Sequence, residues 1–115
     1  MNIAIIDDTQ EILDLLEKFL VTKGHKVTTY LNPITAISSL ASDTDIVLLD
    51  VIMPQMNGLD ALPKILKKNS NTKVIIMTSQ STLDKVLDAH RHGAVHYVMK
   101  PFKSLNELES KLKEL

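Results

Sequence analysis

Cysteine is absent from the chain, which excludes disulfides, thiolate metal sites and thiol nucleophiles. Neither sign of charge is in excess: 13 Lys and Arg stand against 14 Asp and Glu, well mixed along the sequence. With no basic block to track a phosphate backbone, nucleic acid is not expected as a direct partner. Long apolar stretches are missing too. The amino terminus runs at once into a short apolar segment, with no basic flank and no small-residue cleavage pattern, so neither a targeting segment nor a membrane span is expected. Together with an ordinary balance of 44% hydrophobic and 23% charged residues, this points to a cytoplasmic protein without a membrane partner. Linkers, low-complexity tracts and internal repeats are also lacking, and 115 residues suit one domain over 1–115.

What is present is an alternation of short β-branched runs with longer segments of helical period, the pattern of repeated βαβ units. Strands are predicted at roughly 2–6, 26–30, 45–49, 73–77 and 95–99. The runs 3–6, 46–49 and 74–77 are apolar throughout, as central strands covered on both faces should be. Ile12, Leu13, Leu16, Phe19 and Leu20 fall on one helical stripe, Leu83, Val86, Leu87 and His90 on another, and Leu105, Leu108, Leu112 and Leu115 on a third. Gly24 and Gly93 stand where helices should stop, and Pro33 near where one should start. A helix over about 59–68 contains Pro63, which predicts a late start or a kink because proline removes a backbone donor. Right-handed crossovers and chain length favour an α/β, flavodoxin-like (βα)5 three-layer sandwich whose five-stranded parallel sheet has the order 2-1-3-4-5.

In such a fold the carboxyl ends of the strands share one edge, where ligands bind. The apolar runs end there on Asp7-Asp8, Asp50, Thr78-Ser79 and Lys100-Pro101. Each has an ordinary explanation. Asp8 with Glu11 forms a capping-box-like pair at a helix start; Asp50 is the first polar residue of a loop shaped by Pro54 and an Asn57-Gly58 turn signal; Thr78 or Ser79 caps a helix beginning near Ser81 or Thr82; Lys100 lies with its stem on the surface. Their coincidence at successive strand ends carries more weight. A second adjacent carboxylate at Asp7 adds repulsion that a bound cation would relieve.

Three nearby carboxylates without histidine or cysteine make a hard oxygen site suited to Mg2+, often completed by phosphate oxygens. His25, His90, His92 and His96 fall away from this edge, so zinc is not expected. A carboxylate is a nucleophile toward phosphorus, and phosphoryl transfer needs positioning and charge neutralisation more than a base. Lys100 and the Thr78 hydroxyl are suited to hold phosphoryl oxygens.

These residues resemble the receiver domains of two-component response regulators over essentially the whole chain. The matching pieces are Ile5-Ile6-Asp7-Asp8, Leu49-Asp50-Val51-Ile52-Met53-Pro54-Gln55-Met56-Asn57-Gly58, Met77-Thr78-Ser79, and Gly93-Ala94 leading through Tyr97 to Lys100-Pro101-Phe102. The resemblance implies that Asp50 accepts a phosphoryl group from a sensor histidine kinase or histidine phosphotransfer protein. It implies that Asp8 and Asp50 bind Mg2+ directly, Asp7 largely through water, and the Ile52 carbonyl completes the site. Thr78 and Lys100 would bind the phosphoryl oxygens, and Lys100-Pro101 would be a cis peptide. On phosphorylation Thr78 is drawn in and the Tyr97 ring follows, which alters the face of the fourth helix, last strand and last helix, here parts of 82–92, 95–99 and 104–114. That face would engage a downstream protein or effector domain, and phosphorylation-dependent dimerisation is a further option. The positions that tune phosphoryl lifetime in the family are Ile52 and Gln80; an apolar Ile52 cannot orient an attacking water, so slow self-dephosphorylation is expected.

Competing expectations are a receiver-shaped interaction module that works without phosphorylation, a flavodoxin-like FMN binder, and a Mg-dependent phosphatase with an aspartyl nucleophile. The first usually lacks one of the acids, the hydroxyl or the lysine, and none is missing here. Asp7-Asp8 puts negative charge where FMN would need donors. A phosphatase would place its nucleophile after the first strand and need more chain.

Overall fold

A computed structural model describes the chain except for Gln80, Ser81 and Thr82 and the side chains of Leu83, Lys85, Val86 and Asp88. Five strands alternate with five helices: β1 (Asn2–Ile6), α1 (Gln10–Thr22), β2 (Lys26–Tyr30), α2 (Pro33–Ser39), β3 (Ile46–Asp50), α3 (Gly58–Lys68), β4 (Lys73–Thr78), α4 (Leu83–Arg91), β5 (His96–Met99) and α5 (Leu105–Lys113). The strands form one parallel sheet in the order β2-β1-β3-β4-β5, the flavodoxin-like arrangement predicted from the alternation. No helix among the described residues is long and apolar enough to cross a membrane.

The apolar runs do what two-sided burial requires. In β1, Ala4 and Ile6 pack toward α2 and α3 while Ile3 and Ile5 pack toward α1 and α5; in β3, Val47 and Leu49 go one way and Ile46 and Leu48 the other. Fully burying each such leucine or isoleucine is worth about 1.5–3 kcal/mol. Leu13, Leu16 and Leu20 carry α1 onto the sheet, and Leu108 and Leu112 carry α5. Gly24 and Gly93 adopt φ of 89° and 108° after α1 and α4, a conformation that other residues adopt only with strain.

Three local expectations are corrected. Of the α4 stripe, the described positions do not face the core: Leu87 is 68% exposed and His90 is exposed, whereas Ala89, off the stripe, is buried. Residues 87 and 89 lie about 200° apart on a helix, so turning Ala89 inward turns Leu87 out; Leu83 and Val86 lie outside the described side chains. Next, of the late start or kink expected at Pro63, the late start does not occur. Asn57 caps α3 by accepting the Leu59 amide at 2.8 Å, and Pro63 lies inside the helix on the exposed side, where water can reach the carbonyl its missing amide leaves unpaired. Finally, no capping box forms between Asp8 and Glu11. Thr9 is the N-cap of α1 without a side-chain cap bond, and Asp7 Oδ1 accepts the Thr9 amide at 2.9 Å. The proposed capping by Thr78 or Ser79 concerns a helix start near Ser81 or Thr82, which lie outside the described residues.

Candidate functional site

Parallel register brings the strand ends together. Ile6 pairs with Leu49, Asp50 with Met77 and Thr78 with Met99, so Asp7 leaves β1 beside Asp50 and Lys100 leaves β5 beyond Thr78. The Lys100 amide donates to the Thr78 carbonyl at 2.6 Å, tying the last two strand ends to each other. The Lys100–Pro101 peptide is cis.

The side chains of Asp7, Asp8 and Asp50 each offer an oxygen within 4.8 Å of the others, the one such cluster of three or more metal-ligating groups among the described residues. Asp7 is completely buried and Asp50 nearly so, whereas Asp8 is exposed, so the cluster has a closed floor and one open wall. Lys100 Nζ bridges the two buried acids: it is paired with Asp7 Oδ2 and lies 3.2 Å from Asp50 Oδ1. Asp50 Oδ1 also accepts the Val51 amide at 2.9 Å. Both contacts fall on one oxygen, Oδ1.

Burial pushes the Asp50 carboxyl up to about 6 from its ordinary 3.8; the negative charges of Asp7 and Asp8 add to the rise, and the Lys100 ammonium opposes it. Burial and like charge both disfavour ionisation. A cation at the cluster would reverse that balance, and an all-carboxylate donor set with an open side fits Mg2+, which keeps several waters. None of the four histidines belongs to the cluster; His96 Nε2 is 3.0 Å from Glu114 Oε2 and His25 Nδ1 is 3.0 Å from the Met1 amine.

Thr78 is buried at the end of β4, its Oγ1 3.3 Å from the Ser79 carbonyl. Ile52 is 56% exposed in the loop after β3. Tyr97 stands outward on β5, where it lines a groove of about 250 Å3 with Leu87, His90 and Lys111. Gln80 is outside the described residues. Spacing alone did not mark Gly58 for what it does: an Asn-Gly pair reads as a turn, whereas Gly58 opens α3 pressed against the main chain of Asp50.

A parallel α/β sheet with an acid cluster and a lysine at its carboxyl edge defines a class of regulatory domain. The chain belongs to the response regulator receiver domain family, whose model matches residues 3–113. It is 35% identical over 101 residues to the response regulator SaeR of Staphylococcus aureus, which covers 88% of this chain but 44% of SaeR; the chain thus spans less than half the length of that relative. Among solved structures it resembles the response regulator protein TrrA from Thermotoga maritima, in complex with Mg2+ and BeF, with TM-score 0.85 and 30% identity over 98% of this chain and 96% of the other. A CheY-like receiver domain protein from Methanospirillum hungatei matches with TM-score 0.87 and 28% identity, over 98% of this chain and 90% of that one.

Proposed function

We propose that residues 1–115 form one cytoplasmic receiver domain that takes a phosphoryl group on Asp50 from a sensor histidine kinase or a histidine phosphotransfer protein, with Mg2+ as cofactor. The observation that carries this reading is the approach of Lys100 Nζ to Asp50 Oδ1 at 3.2 Å within a three-carboxylate cluster. Asp8 and Asp50 would hold the cation directly, with Asp7 acting through water and the Ile52 carbonyl completing the set. When bound, Mg2+ draws negative charge off the phosphoryl oxygens.

In the transfer, Asp50 Oδ2 forms a bond to phosphorus as the phosphorus–nitrogen bond of the donor phosphohistidine breaks, and the imidazole leaves with the bonding pair and takes up a proton. Lys100 Nζ and Thr78 Oγ1 hold phosphoryl oxygens, which neutralises charge at the point of transfer. The product adds charge where Asp50 stood, Thr78 is drawn toward it and the Tyr97 ring turns inward, changing the face made by α4, β5 and α5. A downstream protein or effector domain that prefers the switched face must in return favour phosphorylation. The chain is a regulatory domain and promotes only its own phosphorylation and dephosphorylation.

Incubation with a small acyl phosphate tests this. Mg2+-dependent labelling of the wild-type protein and none of Asp50→Asn is the expected result. Equal labelling of the two, or labelling indifferent to Mg2+, would leave a receiver-shaped interaction module as the better account.

A further inference from the structure

The loop after β3 closes onto Asp50 through a residue outside the acid cluster. A Cβ built on Gly58 would lie 2.0 Å from the carbonyl oxygen of Asp50 and 2.9 Å from the Cα of Val51. Both are main-chain atoms, so no side-chain rotation can make room. Gly58 is not among the glycines of positive φ, so the position demands space and not left-handed backbone freedom. Its amide is engaged as well. The first amide of a helix has no partner within the helix, and that of Gly58 donates to the Val51 carbonyl at 2.7 Å. Loop residues 51–57 are therefore pinned at both ends: Asp50 and Val51 on one side, the start of α3 on the other.

The geometry points to Gly58 as a positioning residue for the phosphoacceptor: the contact of α3 with the Asp50 and Val51 main chain sets where the Asp50 carboxylate and the Ile52 carbonyl stand relative to Asp7 and Asp8. This inference rests on the reading of those groups as a Mg2+ and phosphoryl site. Any side chain at position 58 must push the loop off the helix start, and displacing ligands by about 1 Å is enough to cost orders of magnitude in function. The adjacent Asn57 offers a matched control, because its side chain caps α3 through the Leu59 amide at 2.8 Å and its loss weakens the helix without intruding on Asp50.

The test is a Mg2+ titration of the wild type, Gly58→Ala and Asn57→Ala, each followed by amide chemical shifts, which also report whether the variant is folded. The wild type and Asn57→Ala are expected to bind alike, and Gly58→Ala about tenfold more weakly or worse while keeping a folded spectrum. A folded Gly58→Ala that binds Mg2+ like the wild type overturns the inference. Should Gly58→Ala not fold, hydrogen exchange of the Gly58 amide in the wild type decides: slowing on saturation with Mg2+ supports the coupling of clamp to site, and an unchanged rate contradicts it. A wild-type protein that gives no response to Mg2+ at all removes the reading of the acid cluster itself, and the inference with it.

Discussion

Replacing Asp50 by Asn should stabilise the fold, and by an amount that depends on pH. The carboxyl of Asp50 is raised from 3.8 to about 6, a displacement equivalent to about 3 kcal/mol at neutral pH. Solvent on the Asp8 side and the poorer contact of an amide with Lys100 reduce the expected effect to about 1–2 kcal/mol. The sign follows from proton binding. Between pH 3.8 and about 6 the folded protein holds a proton that the unfolded chain has released, so this carboxyl's contribution to stability falls as pH rises through that window. Other groups titrate in both proteins and cancel in the difference. Urea unfolding of wild type and Asp50→Asn without Mg2+ at pH 4 and pH 7 is the assay. The stability gap, variant minus wild type, should grow by about 1–2 kcal/mol between the two, and Mg2+ at about ten times its dissociation constant should return about 1.4 kcal/mol to the wild type alone. A gap that does not change with pH, or a variant less stable than wild type at pH 7, would refute the picture of a carboxylate held ionised at a cost.

Lys100→Met keeps much of the stem and removes the cation; it should move the Asp50 carboxyl above about 6, since Lys100 is the main influence holding it down, and cost about 3 kcal/mol by leaving buried Asp7 without its partner, both readable by carboxyl titration in NMR and by urea unfolding. Ile52→Asn should shorten the lifetime of the phosphorylated protein by supplying a group that orients water, with release of phosphate from purified protein as the measure; a variant no faster than wild type contradicts the role given to Ile52. Leu16→Ala, at a fully buried site, should cost about 2–5 kcal/mol, whereas Leu87→Ser, at a position 68% exposed, should stay within about 0.5 kcal/mol, a contrast that reversed values would undo.

Much of the fold can be read from residues whose side chains have few alternatives. The apolar runs of β1, β3 and β4 must be covered on both faces, and the polar residue that ends each run then has only the sheet edge to occupy, which is why Asp7, Asp8, Asp50, Thr78 and Lys100 could be named without coordinates. What escaped depends on packing between elements. On α4 the described positions part from the apolar pattern, with Ala89 buried in the core and Leu87 turned outward. The start of α3 is settled by the Asn57 cap, which overrides the cost of Pro63. Asp7 serves Thr9 because β1 ends one residue before it, leaving Asp8 to face solvent. The space requirement at Gly58 arises only when α3 meets the main chain of Asp50, a contact that no local pattern encodes.

The most direct test of the central claim is chemical mapping of the acceptor. After reaction with an acyl phosphate and Mg2+, borohydride reduction converts an aspartyl phosphate to homoserine, which peptide mass spectrometry locates. Homoserine at position 50, dependent on Mg2+ and much reduced in Lys100→Met, is the predicted result. Conversion at Asp7 or Asp8 with Asp50 intact, or no conversion at any of the three, would contradict it.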